Sequence, residues 1–221
     1  MSQFHAAYIP PRDCGLDLVY QDQFIIVVNK PAGLLAVPGR GPDKTDSLVS
    51  RVQARFPDAL AVHRLDMGTS GLLVLARGKD MQRRLSGMFR EREVGKRYVA
   101  VVAGRIKPSV GEIDLPLIPD WPNRPQQKVD FATGKPSLTR CRLLSHDADV
   151  DASRVELEPV TGRTHQLRVH MAFIGHPILG DALYGGKTCG KAGRLLLHAR
   201  SLNLEHPLSK EPLSLVCEPP F

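Results

Sequence analysis

Two short segments concentrate the residues able to do charge-pairing or acid–base chemistry. The first is His63-Arg64-Leu65-Asp66-Met67-Gly68-Thr69-Ser70-Gly71, where a base and an acid stand two positions apart among glycines and small hydroxyl residues. A loop of this kind ahead of an apolar run can hold a carboxylate rigidly and leave room for a ligand. A turn-forming or capping role is the commoner one for a lone aspartate. On residue types alone both readings of Asp66 stand. The second segment is Thr161-Gly162-Arg163-Thr164-His165-Gln166-Leu167-Arg168-Val169-His170. Arg168 lies one position from an apolar stripe of Leu167, Met171 and Ile174, so it can flank a cleft instead of pointing to water. An arginine beside a carboxylate favours its ionised form by charge pairing and hydrogen bonding. His165 and His170 are five apart. A helical zinc pair prefers i, i+4 and HExxH is absent, so both read as ordinary polar helix residues.

Other chemistries lack their residues. There is no GxxxxGK[ST] loop, no GxGxxG after a strand and no GxSxG elbow. A paired-carboxylate glycosidase needs two acids facing one site, and no second acid beside Asp66 suggests itself. Cys14, Cys141, Cys189 and Cys217 are never closer than 28 positions, so no CxxC exists. They read as free thiols in a reducing compartment.

The elements that must position these residues follow from patterning. Leu16 to Tyr20 and Phe24 to Asn29 are apolar and β-branched around a polar turn, which predicts a hairpin broken by Lys30-Pro31-Ala32-Gly33. Asp46 or Ser47 caps a helix carrying Leu48, Val52 and Phe56, ended by Pro57. Gly71 to Ala76 reads as a buried strand. Asp80 is the expected cap of a second helix with Met81, Leu85, Met88 and Phe89 on one face. Tyr98 to Val102 is a strand. The proline-rich stretch from Pro108 to Pro136 predicts an irregular connection with short edge strands such as Glu112 to Leu117. Strands resume at Leu138 to Leu144 and Arg154 to Leu157. Thr164 is the expected cap of a helix closed by Gly175 and Pro177. The end reads as two strands, Leu195 to Leu204 and Leu213 to Val216. Many strands with about three interleaved helices argue for an α+β fold on a mixed, mainly antiparallel sheet.

The 221 residues fit one large domain or two small ones. With 42% hydrophobic and 24% charged residues, composition is that of an ordinary globular protein with a sizeable core. No basic-then-apolar leader is evident and the longest apolar runs are about five residues, far short of a bilayer span. A soluble, cytoplasmic protein is expected. The net charge is +7, with a sequence pI near 9.4. It is not spread evenly. Arg77, Lys79, Arg83, Arg84, Arg90, Arg92, Lys96 and Arg97 face only three acids, a net +5 within 21 residues. A charge run is usually a solvated face. Here the basic positions continue from the helix into the next strand and flank both candidate segments. That favours a phosphate-binding surface, with Arg83, Arg84, Arg90, Arg92, Lys96 and Arg97 as its candidates. Aromatic residues are only 5%, so shape and phosphate contacts are expected in place of base-stacking platforms.

With these segments in this order, the chain resembles the RluA family of pseudouridine synthases. His63-Arg64-Leu65-Asp66 with Thr69-Ser70-Gly71-Leu72 matches the family's catalytic loop. Lys96-Arg97-Tyr98 and Gly162-Arg163-Thr164-His165-Gln166-Leu167-Arg168 match its second and third motifs. Asn29-Lys30-Pro31-Ala32-Gly33, His176 to Asp181 and Tyr184-Gly185 add support, and the similarity spans essentially the whole chain. The resemblance implies a bisected sheet flanked by a few helices, as one catalytic domain over 1–221 with a tail at 1–15. About fifteen residues precede the first strand, so no S4 RNA-binding domain is expected. Trp121 to Pro125, Gln127-Lys128-Val129 and Thr133 to Pro136 resemble the family's dual-specificity type. That type acts on a 23S rRNA loop and a tRNA anticodon stem-loop.

The resemblance also assigns residues. Asp66 is the essential carboxylate, acting on the sugar as base or nucleophile. Arg168 pairs with it, and Tyr98 packs on the uracil and assists proton removal at C5. Arg64 fills the space left by the flipped base, while Leu167, His63 and Arg163 contact the substrate. No cofactor or metal is implied, RNA is the expected partner and the expected state is a monomer. Two other readings are a non-catalytic RNA-binding module and a hydrolase with Asp66 as nucleophile. The first leaves Asp66, Tyr98 and Arg168 without a reason to occur together. The second needs a water-activating base and usually a metal.

Overall fold

The structure is a computed structural model that describes residues 8–107 and 111–221. The chain opens with the expected hairpin of Leu18–Gln21 (β1) and Ile25–Lys30 (β2), paired antiparallel. Asp22 makes the turn, its Oδ1 accepting the N–H groups of Phe24 and Ile25 at 2.7 Å each. The segment before β1 is docked: Tyr8 Oη donates to the Asp46 carbonyl and Arg51 donates to that of Pro11. Leu48–Arg55 (α1) starts in a capping box between Ser47 and Ser50. A three-residue strand, Ala59–Ala61 (β3), leads into the loop that carries Asp66 and then into Ser70–Arg77 (β4).

Apolar residues on β4 alternate between two cores. Leu73 and Leu75 pack with Leu48, Val49 and Val52 of α1, while Leu72, Val74 and Ala76 pack with Met81 and Leu85 of Lys79–Glu91 (α2). The strand is therefore buried on both faces, which is why it reads as a continuous apolar run. Asp80 does not cap α2. Gly78, at φ 78, occupies the N-cap, and Asp80 lies in the first turn paired with Arg83.

Gly95–Ala103 (β5), Leu138–Asp147 (β9) and Ala152–Pro159 (β10) form the second half of the sheet with the short edge strand Glu112–Asp114 (β6). Leu117–Pro119 (β7) and Gln127–Val129 (β8) pair with each other as a separate ribbon inside the proline-rich stretch. Positions 108–110 of that stretch lie outside the described residues. Gln166–Phe173 (α3) covers this half, packing Leu167 and Met171 against Ala100, Val155 and Leu157. The expected Thr164 cap is absent. His165 takes the N-cap position in the left-handed region, and the Gln166 side chain accepts the Arg163 N–H and the Thr161 hydroxyl.

Leu197–Glu205 (β11) and Pro212–Val216 (β12) complete a ten-stranded sheet ordered β1-β2-β4-β11-β5-β10-β9-β6, with β3 on β4 and β12 on β11. This is the expected mixed, mainly antiparallel α+β arrangement. The two halves meet where β11 runs parallel to β4 over two residue pairs, Ser70 with His198 and Gly71 with Ala199. Gly71 has φ +108, and a Cβ there would lie 2.3 Å from the Ala199 carbonyl oxygen. Only glycine permits that approach. The seam therefore fixes a glycine five residues after Asp66 and sets the distance from the loop to the second half of the sheet.

Candidate active site

At this seam a cleft of about 340 Å³ opens between the halves, a volume suited to a small-molecule-sized group. Asp66, from the β3–β4 loop, and Arg168, from α3, face each other across it. Arg168 Nη1 donates to Asp66 Oδ2 at 3.0 Å, although the residues are 102 positions apart. The other edge of the guanidinium is held by Asp181, with Nε to Oδ2 and Nη2 to Oδ1 both at 2.8 Å. Asp181 is fully buried and also accepts the N–H groups of Leu183 and Tyr184. Burial alone would push its carboxyl up, but Arg168 and these amides hold it below its ordinary value. The guanidinium is therefore locked from behind and offers one remaining donor to Asp66.

The loop that carries Asp66 is held from below. Lys30 is fully buried, and its Nζ donates to the carbonyls of Pro31, Leu34 and Met67 at 2.8, 2.7 and 3.1 Å. Met67 follows Asp66 directly, and its carbonyl also accepts the Gly33 N–H. Burial pushes the Lys30 ammonium down to about 7, with the charge of Asp66 opposing. Its sequence signal was the Asn29 to Gly33 motif, which reads locally only as a break after a strand.

Every residue assigned to catalysis or substrate contact lines the cleft: His63, Arg64, Asp66, Tyr98, Arg163, Leu167 and Arg168. Their surroundings differ. His63 is committed to the protein, since its Nε2 accepts the Val74 N–H at 2.9 Å and its ring stacks on Phe89 at 4.2 Å. Burial, with Lys96 nearby, pushes its imidazole down to about 3, so the ring stays neutral. Tyr98 is half-buried and packs against the cores of both halves. Burial, then the charge of Asp66, raise its phenol well above the ordinary value, so it stays protonated at neutral pH. Arg64 is exposed and makes no hydrogen bond among the described residues. Arg163 is exposed, with Nε to the Pro136 carbonyl at 3.4 Å. Leu167 is buried and closes the apolar wall of the cleft.

The six basic candidates do not share one place. Lys96 lines the cleft, near the ring of Phe89. Arg83 and Arg84 line a different groove with Glu91, Glu93 and Glu205. Arg97 lies 3.9 Å from Glu156, Arg90 pairs with Glu91, and Arg92 is exposed. The residue types could not show this, because a helix separates positions that are close in sequence.

Sequence reasoning did not single out Asp181, Lys30, His165 or Tyr184. Asp181 and Tyr184 stood only inside quoted motifs, and His165 read as an ordinary helix residue. Nothing local marks any of them, since each has a partner far along the chain: Asp181 with Arg168 at 13 positions, His165 with Tyr184 at 19 and Lys30 with Met67 at 37.

Comparison with known proteins identifies the arrangement. The family model described as RNA pseudouridylate synthase matches residues 24–173. The chain is 53% identical over 201 residues to the dual-specificity RNA pseudouridine synthase RluA of Escherichia coli strain K12, covering 90% of this chain and 91% of that one. It is 47% identical to the RluA of Pasteurella multocida, over 97% of this chain and 98% of the other. Among solved structures, human RNA pseudouridylate synthase domain containing 1 superposes with a TM-score of 0.80 at 33% identity, covering 96% of this chain and 87% of its own. Human RNA pseudouridylate synthase domain containing 4 gives 0.73 at 29%, over 92% and 88%. By family model, relatives and fold alike, the chain belongs to the RluA family of RNA pseudouridine synthases.

Proposed function

We propose that Asp66 is the carboxylate that reacts with the ribose, and that a uridine flipped from a structured RNA loop enters the cleft beside it. The carrying observation is that Arg168 turns the one nitrogen not held by Asp181, Nη1, to Asp66. Its Nε and Nη2 are anchored on buried Asp181, so the guanidinium holds Asp66 in place through Nη1. The net reaction moves the glycosidic bond from N1 to C5 of the same uracil. The C1′–N1 bond breaks, C1′–C5 forms, C5 loses a proton and N1 gains one. Asp66 acts on the sugar, as nucleophile at C1′ or as the base that takes a sugar proton. Tyr98, kept as a neutral phenol, offers the uracil an aromatic face and assists removal of the C5 proton. Arg64, exposed and unengaged, is free to enter the gap left in the RNA stack.

The substrates on this reading are a 23S rRNA loop and a tRNA anticodon stem-loop. The similarity to dual-specificity RluA proteins over about nine-tenths of the chain supports this. The alternative is one RNA class alone. We read residues 1–221 as one catalytic domain, because the two halves of the cleft come from segments 102 positions apart.

The test is single-turnover conversion of uridine stem-loops of both RNA classes. Asp66→Asn abolishes product on both while RNA binding persists. Conversion at near wild-type rate by that variant would falsify the assignment, and product on only one RNA class removes the dual substrate range.

A further inference from the structure

Behind Asp66, a hydrogen-bonded pair, Tyr184 and His165, reaches to 3.7 Å from the same oxygen that Arg168 holds. His165 is the N-cap of α3, at φ 54, a left-handed conformation that non-glycine residues seldom adopt. Its side chain caps nothing. Instead Nδ1 lies 2.7 Å from Tyr184 Oη, and Nε2 points to Asp66 Oδ2 at 3.7 Å. Tyr184 Oη accepts the N–H of Gln127, on the β7–β8 ribbon, at 2.8 Å. With that lone pair engaged, the phenolic proton has one partner, Nδ1 of His165. An imidazole that accepts at Nδ1 carries its hydrogen on Nε2. The opposite tautomer would strand the phenolic proton and turn an imidazole lone pair toward a carboxylate. On that tautomer two N–H groups face Oδ2, that of Arg168 at 3.0 Å and that of His165 at 3.7 Å. Among the described residues Oδ1 accepts no hydrogen bond, so it is the oxygen presented to the cleft.

We propose that His165 and Tyr184 are a positioning pair: Tyr184 sets the tautomer of His165, and His165 with Arg168 grips Asp66 by Oδ2 so that Oδ1 meets the ribose. At 3.7 Å the Nε2–Oδ2 contact is longer than a hydrogen bond, and on this proposal it closes to one when substrate binds. This inference rests on the assignment of Asp66 above. The charged groups around His165 are Asp66 and Asp181, which favour its protonation, and Arg168 and Arg64, which oppose it. Burial is the largest influence and keeps the ring below its ordinary value.

The two protonation states predict a signature. Neutral or protonated, wild-type His165 presents Nε2–H to Asp66, so its titration does not remove the donor. Tyr184→Phe keeps the ring that Arg168 stacks on but removes the hydroxyl. The imidazolium of that variant still donates from Nε2, whereas its neutral ring does not hold one tautomer. Single-turnover rates at saturating RNA stem-loop are measured from about pH 4 to about pH 9, a range that reaches below the ordinary imidazole value. The ratio of wild type to Tyr184→Phe is expected to rise with pH to about tenfold, with RNA affinity unchanged. His165→Gln, which retains an N–H donor, recovers turnover to within about threefold of wild type, and His165→Leu loses about tenfold at every pH. A ratio that does not vary with pH overturns the proposal, because a purely structural hydroxyl lowers the rate equally throughout. Equal rates for His165→Leu and wild type also overturn it, and the His165 pair decides if Tyr184→Phe fails to fold. Asp66→Asn is assayed in parallel. If it is inactive while the ratio is flat, only the positioning pair falls; if it is active, the reading of Asp66 falls first.

Discussion

At the residue scale, Arg168 does two things that no other side chain combines: it neutralises a buried aspartate and presents a fixed donor to an open one. A lysine keeps the charge, but a single ammonium cannot span both carboxylates in the fork geometry of a guanidinium. Arg168→Lys is therefore expected to lower single-turnover rate by about 100-fold. It should also cost about 3 kcal/mol of stability, because Asp181 keeps its burial and loses its two-point partner. Stopped-time product analysis and urea unfolding measure the two effects. Retention of both rate and stability would mean that the Asp181–Arg168–Asp66 line is incidental. The sequence placed Arg168 at the edge of an apolar stripe and so beside a cleft. It could not show the carboxylate behind it. The tie between Asp181 and Arg168 is made by a loop after α3, and no periodicity spans a loop.

At the element scale, burial patterns were legible and the starts of two helices were not. The first hairpin, the apolar faces of α1 and α2 and the doubly buried β4 follow from side-chain periodicity. The starts of α2 and α3 were misread, because glycine at positive φ and the side chain of the first residue of α3, Gln166, replaced the expected caps. Lys30 was read as part of a strand-breaking and family-matching motif with no role of its own, whereas it stitches β2 to the loop that carries Asp66. Its ordinary value is 10.5 and its folded value about 7. Between those values the unfolded chain holds a proton that the folded chain lacks. Stability therefore rises with pH across that window, by up to about 1.4 kcal/mol per unit from this group, and below the window the cost of burying the ammonium is present in full. Lys30→Met removes the titration and leaves the Leu34 carbonyl without its donor. In urea unfolding at about pH 7, 8 and 9, wild type is expected to gain stability over the variant as pH rises. Parallel curves would place the proton elsewhere.

At the scale of the whole molecule, the excess positive charge is divided by the fold. The +5 segment winds around α2, so only its last part reaches the cleft. Lys96 arrives on β5 beside Arg64, while Arg83 and Arg84 open onto a groove whose other walls carry Glu91, Glu93 and Glu205. Acids in that groove offset its field, whereas Arg64 stands without a salt bridge among the described residues. RNA affinity falls with salt in proportion to the number of phosphates neutralised. Each lost phosphate contact flattens the slope of log K against log salt by about one unit. Replacing Arg64 and Lys96 together by alanine is expected to flatten that slope by about two units, and replacing Arg83 and Arg84 together to leave it unchanged. Filter binding of a uridine stem-loop across a salt series measures both. Equal flattening by the two double variants would mean that the RNA backbone crosses α2 as well as the cleft. No change from Arg64 and Lys96 would leave the cleft to bind the flipped nucleotide through shape and the Asp66–Arg168 pair, with backbone contacts made by other surfaces.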